Sequence, residues 1–213
     1  MKERARSTED KQQRSEALLD AAESLAIELG GIRFLTVAAV TDRAGLHRTG
    51  ARRYYANKEE LLLELAERGW ERWRDAIKSR HFAPHELTPT QVADLVTDTI
   101  ISLPVFCDLL THVTLSLEGG VDIERARQFK TNAFLAHDEI VSSLASSRSM
   151  TTEKLQNLIA ATIMLAAGFW QVSHPTPTLS RLYEQVPQWG HVALDFGPRL
   201  RHLLRATATG LAN

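Results

Sequence analysis

The sequence predicts an all-α fold in two parts, a three-helix helix-turn-helix unit over residues 10–70 and a larger helical domain over residues 71–213. Three observations carry that expectation. Apolar residues return every three or four positions along most of the 213-residue chain, which paints one stripe along a helix. No run rich in valine and threonine alternates apolar with polar residues, so strands have no foothold. Glycine pairs, prolines and short polar residues stand where the stripes start and stop, as helix punctuation requires.

From Gln12 to Leu29, the residues Leu18, Leu19, Ala22, Leu25, Ala26 and Leu29 form one stripe. Gly30-Gly31 ends it, because glycine takes the left-handed closing conformation without a Cβ penalty. Thr36 caps a short helix from Val37 to Ala44, closed by Gly45. A second short helix spans about Arg48 to Tyr54 or Tyr55. Asn57 caps a longer one from Lys58 to about Arg80, with Leu61, Leu62, Leu65, Trp70 and Trp73 among its apolar positions.

The stretch HFAPHELTPTQ interrupts the helices. Thr88 then caps, Pro89 suits a first helical position, and Gln91 completes a capping box. Pro104 and Gly119-Gly120 mark further boundaries. Long helices follow from Asp122 to about Ser147 and from Thr151 to about Ser173, the second ended by Pro175 and Pro177. The last helix starts near Asp195, tolerates Pro198 in its first turn and ends by Gly210. The expected total is about nine helices.

Bulk properties set the outer bounds. A 44% hydrophobic content supports a sizeable core without cross-links. The single cysteine, Cys107, cannot bridge within the chain and fits a reducing compartment. The charged opening MKERARSTEDKQQRSE lacks the apolar stretch of a secretory signal. No apolar run approaches the roughly 20 residues that cross a bilayer, and Leu158 to Val172 is too short. A soluble cytoplasmic protein with no membrane partner is expected.

Charge is distributed unevenly. The formal net charge is -1, yet residues 1–58 hold eleven Lys/Arg against eight Asp/Glu. Between Arg43 and Lys58 stand five basic side chains and no acid. If residues 48–55 are helical, Arg48, Thr49, Arg52 and Arg53 share a sector about 140° wide, with Gly50 and Ala51 on the opposite side. Such a face is either an ordinary solvated surface or a row of guanidinium forks for guanine edges and phosphates. The helix-turn-helix order of the neighbours favours the second reading. Tyr54 and Tyr55 either bond phosphate or pack inward.

Residues from about Arg14 to Leu62 resemble the DNA-binding domain of the tetracycline-repressor (TetR) family. The resemblance lies in ALLDAAESLAIELG as first helix, LTVAAVTDRAGL as second, and HRTGARRYYANKEEL leading into the fourth. It implies a homodimeric, ligand-responsive transcriptional regulator, usually a repressor, bound to double-stranded operator DNA and released by a small-molecule effector. Thr36 matches the family's capping threonine, Gly45 its turn glycine and Lys58 its phosphate-contacting lysine. The DNA-facing set is then Thr36, Val37, His47, Arg48, Thr49, Arg52, Arg53, Tyr54 and Lys58. Departures exist: His47 replaces a small capping serine, Arg52 a frequent tyrosine, Thr41 an alanine and Ala26 a phenylalanine. Gly50 follows the position where the family often places its glycine. Arg52 therefore takes either a phosphate or a base.

The larger domain carries Phe106, Phe129, Phe134, Phe169 and Trp170 for a cavity wall, and Cys107, His112, His137 and Thr162 for orienting a ligand. Aromatics at helical spacing also read as plain core. The resemblance implies that Thr151–Ser173 and Asp195–Thr209 form a four-helix bundle between two subunits. His81 and His85 are four apart but flank Pro84 in a linker, so no metal site and no cofactor are expected. An all-α enzyme and a helical protein-interaction module are the alternatives. Neither GxxxxGK[ST] nor GxGxxG occurs, and an enzyme would have to rely on a histidine or Cys107. Arg48→Ala and Arg52→Ala are each expected to weaken operator binding by about 1–3 kcal/mol while the protein stays folded. A gel-shift titration in which both keep the parent affinity contradicts this.

Overall fold

The computed structural model describes residues 2–46, 53–80, 87–192 and 195–212. Among them are nine α-helices and no strand. The first three are α1 (Lys2–Leu29), α2 (Val37–Arg43) and α3 (Lys58–Lys78). The rest are α4 (Pro89–Ile101), α5 (Pro104–His112), α6 (Ile123–Ala145), α7 (Thr152–Ser173), α8 (Pro177–Gln185) and α9 (Phe196–Ala212). After α5 the chain continues as a single π turn, Val113–Leu117, and a 3-10 turn, Glu118–Gly120.

Local chemistry explains most boundaries. The Thr36 hydroxyl accepts from the Ala39 amide at 3.1 Å, and Asn57 Oδ1 accepts from the Glu60 amide at 2.8 Å. Thr88 and Gln91 form a full capping box. Each such cap is worth about 1 kcal/mol. α1 ends in a Schellman motif: Gly30 has φ 76°, the Gly31 amide reaches back to Ala26 O at 2.8 Å, and Gly30 donates to Ile27 O. α2 ends the same way, with Gly45 at φ 67°, Leu46 N bonded to Thr41 O at 3.0 Å, and Gly45 N to Asp42 O at 3.1 Å. These two turns fix where α2 lies against α1.

α3 is the shared element. It packs against α1 and also against α4, α5 and α6, so one unbroken helix crosses residue 70 and belongs to both parts of the fold. α5 lies between α3 and α7, while α9 packs on α4 and α7. Trp73 is fully buried, and its indole nitrogen donates to the Thr99 hydroxyl at 3.1 Å. The rings of Trp70 and Phe106 meet edge to face at 5.5 Å.

Several boundaries depart from the sequence expectation. α1 starts at Lys2 instead of Gln12, because its charged first turns are good helix formers without an apolar stripe to reveal them. Pro177 opens α8 instead of only ending α7, capped by Thr176 through the Leu179 amide. Gly210 lies inside α9, which runs to Ala212. Residues 47–52, the heart of the expected Arg48–Tyr55 helix, fall outside the described residues, and Arg53 and Tyr54 lie in a turn.

α7 also corrects a run-length argument: its 22 residues are long and apolar enough to cross a bilayer by length and composition alone. Leu155, Leu158, Ile159, Thr162 and Ala166 are nevertheless buried, and the helix packs on α5 and α9.

At Gly69 a Cβ would stand 2.2 Å from Phe106 Cδ2 and 2.9 Å from its Cβ, so neither the ring nor its stem leaves room. Gly69→Ala is expected to destabilise the protein by about 1–3 kcal/mol through overpacking, read as a lower urea midpoint. An unchanged midpoint contradicts the packing described.

Candidate nucleic-acid interface and internal cavity

The basic segment is framed on both sides by residues that the fold holds firmly. On its N-terminal side the Schellman turn at Gly45 aims the chain away from α2. On its C-terminal side Tyr55 is buried, its phenol 3.0 Å from the Ser15 hydroxyl of α1. Burial pushes that phenol's pKa up, against the downward pull of the Ser15 hydrogen bond. Tyr55 therefore anchors the segment inward, while Arg53 stays exposed and Tyr54 half-buried.

Of the expected DNA-facing set, Thr36 is exposed and Val37 half-buried at the start of α2. His47, Arg48, Thr49 and Arg52 lie outside the described residues. Lys58 is less free than its charge suggests: its ammonium donates to the Arg33 carbonyl at 3.2 Å. Partial burial holds its pKa below the ordinary lysine value, with Glu59 opposing. Arg43 is paired across α1 with Glu28 at 2.6 Å, a partner fifteen residues earlier that the local charge count missed. Removing one cation from the run leaves the positive charge centred on the arginines after Gly45.

Two concavities stand out among the described residues. One is an open cleft of about 560 Å³ between α1, α3 and α6, lined largely by carboxylates such as Glu16, Glu60, Glu64 and Glu71. Its charges are partly internal: Arg68 pairs with Glu16, and Arg125 forks onto Glu67 at 2.9 and 3.2 Å. Burial pushes the Glu67 carboxyl up, and the Arg125 hydrogen bond works against it.

The other is an apolar cavity of about 300 Å³ bounded by α3, α5, the π turn, α6 and α7. Trp70, Leu110, Val113, Phe129 and Ile163 are among its walls; Thr114, Glu118, Lys130 and His137 are its polar members. An apolar hollow with a few convergent polar groups is the form of a small-molecule site.

The structure brings together only part of the expected ligand set. Phe129 and His137 line the cavity, as does Phe134, exposed at its rim. Phe106 instead packs on Gly69 and the two α3 indoles. Cys107 is fully buried and contacts the Ile100 carbonyl, and Thr162 is fully buried and bonded to Leu158 O at 2.8 Å. His112 is half-buried and off the cavity wall. Phe169 sits under the Arg199 guanidinium at 5.7 Å, and Trp170 stacks on His174 at 3.8 Å and meets Phe196 edge-on.

Glu118, Lys130 and Thr114 were missed because they sit on either side of Gly119-Gly120, which reads as a mere break. Within the described residues no group of three or more His, Cys, Asp or Glu is placed to hold a metal ion. His81 and His85 lie outside those residues.

Besides the Arg125 fork onto Glu67, hydrogen bonds at two places tie the cavity-bearing segments to the N-terminal part. Buried Asp108 on α5 accepts from the Ile32 amide at 2.7 Å and from Gln171 Nε2 of α7 at 3.0 Å. At the far end of the same segment, Gly120 O accepts from Asn57 Nδ2 at 2.9 Å. Asn57 is the cap of α3, five residues after Arg52.

An all-α protein whose helix-turn-helix elements share a helix with a cavity-bearing domain defines a class of regulators. Residues 67–213 match the family described as "Tetracyclin repressor-like, C-terminal domain". The chain belongs to the tetracycline-repressor family, and is accordingly a DNA-binding transcriptional regulator and not an enzyme. The fold is similar to the crystal structure of a TetR transcriptional regulator from Rhodococcus sp. RHA1, with TM-score 0.58 and 13% identity. That likeness covers 95% of this chain and 97% of the other. No match is found among curated protein sequences.

Burial, with the neighbouring Asp108 charge adding to it, pushes the Cys107 thiol up to about 12. With almost no thiolate present, the native protein is expected to resist aromatic disulfide reagents at pH 8 and to react fully once unfolded. Rapid labelling of the folded protein contradicts this.

Proposed function

We propose that the chain is a ligand-responsive repressor that acts as a cytoplasmic homodimer and leaves a palindromic operator when a small molecule fills the cavity between α3, α5, α6 and α7. Residues 10–70 form the DNA-binding domain and residues 71–213 the sensing and dimerising domain. Thr36, Val37, His47, Arg48, Thr49, Arg52, Arg53, Tyr54 and Lys58 face the duplex, with the arginines reading base edges or phosphates. Phe129 and His137 contact the effector.

The observation that carries this reading is the Asn57–Gly120 hydrogen bond. The segment Val113–Gly120 supplies part of the cavity wall at one end and holds the cap of α3 at the other. A ligand that displaces Val113, Thr114 or Glu118 therefore acts on the helix that follows the basic segment. The coupling is bounded by the ligand's preference for one arrangement over the other.

Dimerisation is supported by α7. Ala160, Met164, Gly168 and Val172 recur at four-residue spacing and are all exposed, Met164 at 72%. Only 28% of the helix's most apolar window is buried within the chain. A second copy packed through α7 and α9 would cover that face and set the two basic segments in successive major grooves, about 34–36 Å apart.

Selection from random double-stranded DNA by the purified protein should enrich a two-fold symmetric site. Compounds that bind the protein should then release that site in a gel-shift assay. Binding without sequence preference, or a selected site that no bound compound releases, contradicts the respective half of the reading.

A further inference from the structure

The cavity is mostly apolar, and its one acid is placed unusually. Glu118 Oε1 is buried, and no described residue hydrogen-bonds to it. The Lys130 ammonium lies 2.8 Å away, close enough for Coulombic attraction but off the direction of a hydrogen bond. Lys130 is half exposed, with 51% of its side chain reaching solvent, whereas Glu118 retains 20%. A lysine so placed returns to water at small cost, since an exposed ion pair contributes little. A buried carboxylate oxygen whose cationic neighbour lies off the hydrogen-bond direction gains, by contrast, from a charged donor that is aligned with it.

We infer that the effector is an organic cation, an ammonium or comparable protonated nitrogen on a hydrophobic body, which Glu118 binds by displacing Lys130. The inference rests on the reading of this cavity as the effector site. An anionic ligand would have to sit beside the Glu118 carboxylate to reach Lys130. A neutral ligand would fill the hollow yet leave the carboxylate's charge uncompensated once Lys130 is displaced. The rings of Trp70, Phe129 and Phe134 also line the cavity, and aromatic faces attract a desolvated cation.

The test is calorimetric titration of the full-length protein at pH 7 with three probes of one shape: phenylbutylamine, phenylbutanol and phenylbutyrate. The amine is expected to bind roughly 10–100-fold more tightly than the alcohol, and the carboxylate most weakly. Glu118→Gln should erase the amine's advantage while the alcohol's affinity holds. Lys130→Met, at a solvent-reaching position that leaves Glu118 intact, should widen the amine-to-alcohol ratio by removing the competing ammonium.

Equal affinities for amine and alcohol, a preference for the carboxylate, an amine advantage that survives Glu118→Gln, or a ratio unmoved by Lys130→Met would each overturn the cation assignment. The cavity would in those cases still bind ligand. Failure of all three probes to bind up to their solubility would overturn both the assignment and the cavity reading beneath it.

Discussion

Helix α3 carries no side chain at Gly69, and the Phe106 ring occupies the space that one would fill. This contact brings α5 hard against a helix that also packs on α1. Close packing makes such a contact nearly incompressible, so α3 and α5 must move together or repack. The hydrogen bonds that α5 and the chain leaving it make to the N-terminal part depend on that arrangement. Asp108 can reach the Ile32 amide only from an α5 held this near, and the chain leaving α5 can reach Asn57 only from the same position.

The N-terminal part combines firm supports with a charged face. Two Schellman turns, at Gly30 and Gly45, and the inward phenol of Tyr55 fix the ends of the basic segment by backbone geometry and burial. The Ser15 hydroxyl beside that phenol also donates to the Glu64 carboxylate at 3.1 Å. Arg43 and Lys58, at the margins of the run, are engaged with Glu28 and with the Arg33 carbonyl.

Much of this was legible in the residues alone, for reasons of spacing. Caps at Thr36, Asn57 and Thr88 were readable because a capping side chain acts within three residues of itself. Stripes of leucine and alanine exposed the helices they belong to. Legibility failed where the deciding partner lies far along the chain. Glu28 is fifteen residues from Arg43, and Gly120 is sixty-three from Asn57. The cavity shows the same limit. Phe129 and Phe106 are equally plausible wall residues by type, and only tertiary packing turns one into the hollow and the other onto Gly69. α8 escaped because a proline that stops one helix can start the next.

The turn at Val113–Leu117 has a further consequence. A π turn holds one more residue than the α-helical register needs, so everything after it is rotated by about 100° relative to a straight continuation. Glu118 faces the hollow, and Gly120 meets Asn57, because that surplus residue is there. Deleting any one position within the stretch would let the helix run straight and swing both groups off their neighbours. Exchanging side chains there would leave the phase intact. What this short stretch encodes is a count of residues more than an identity.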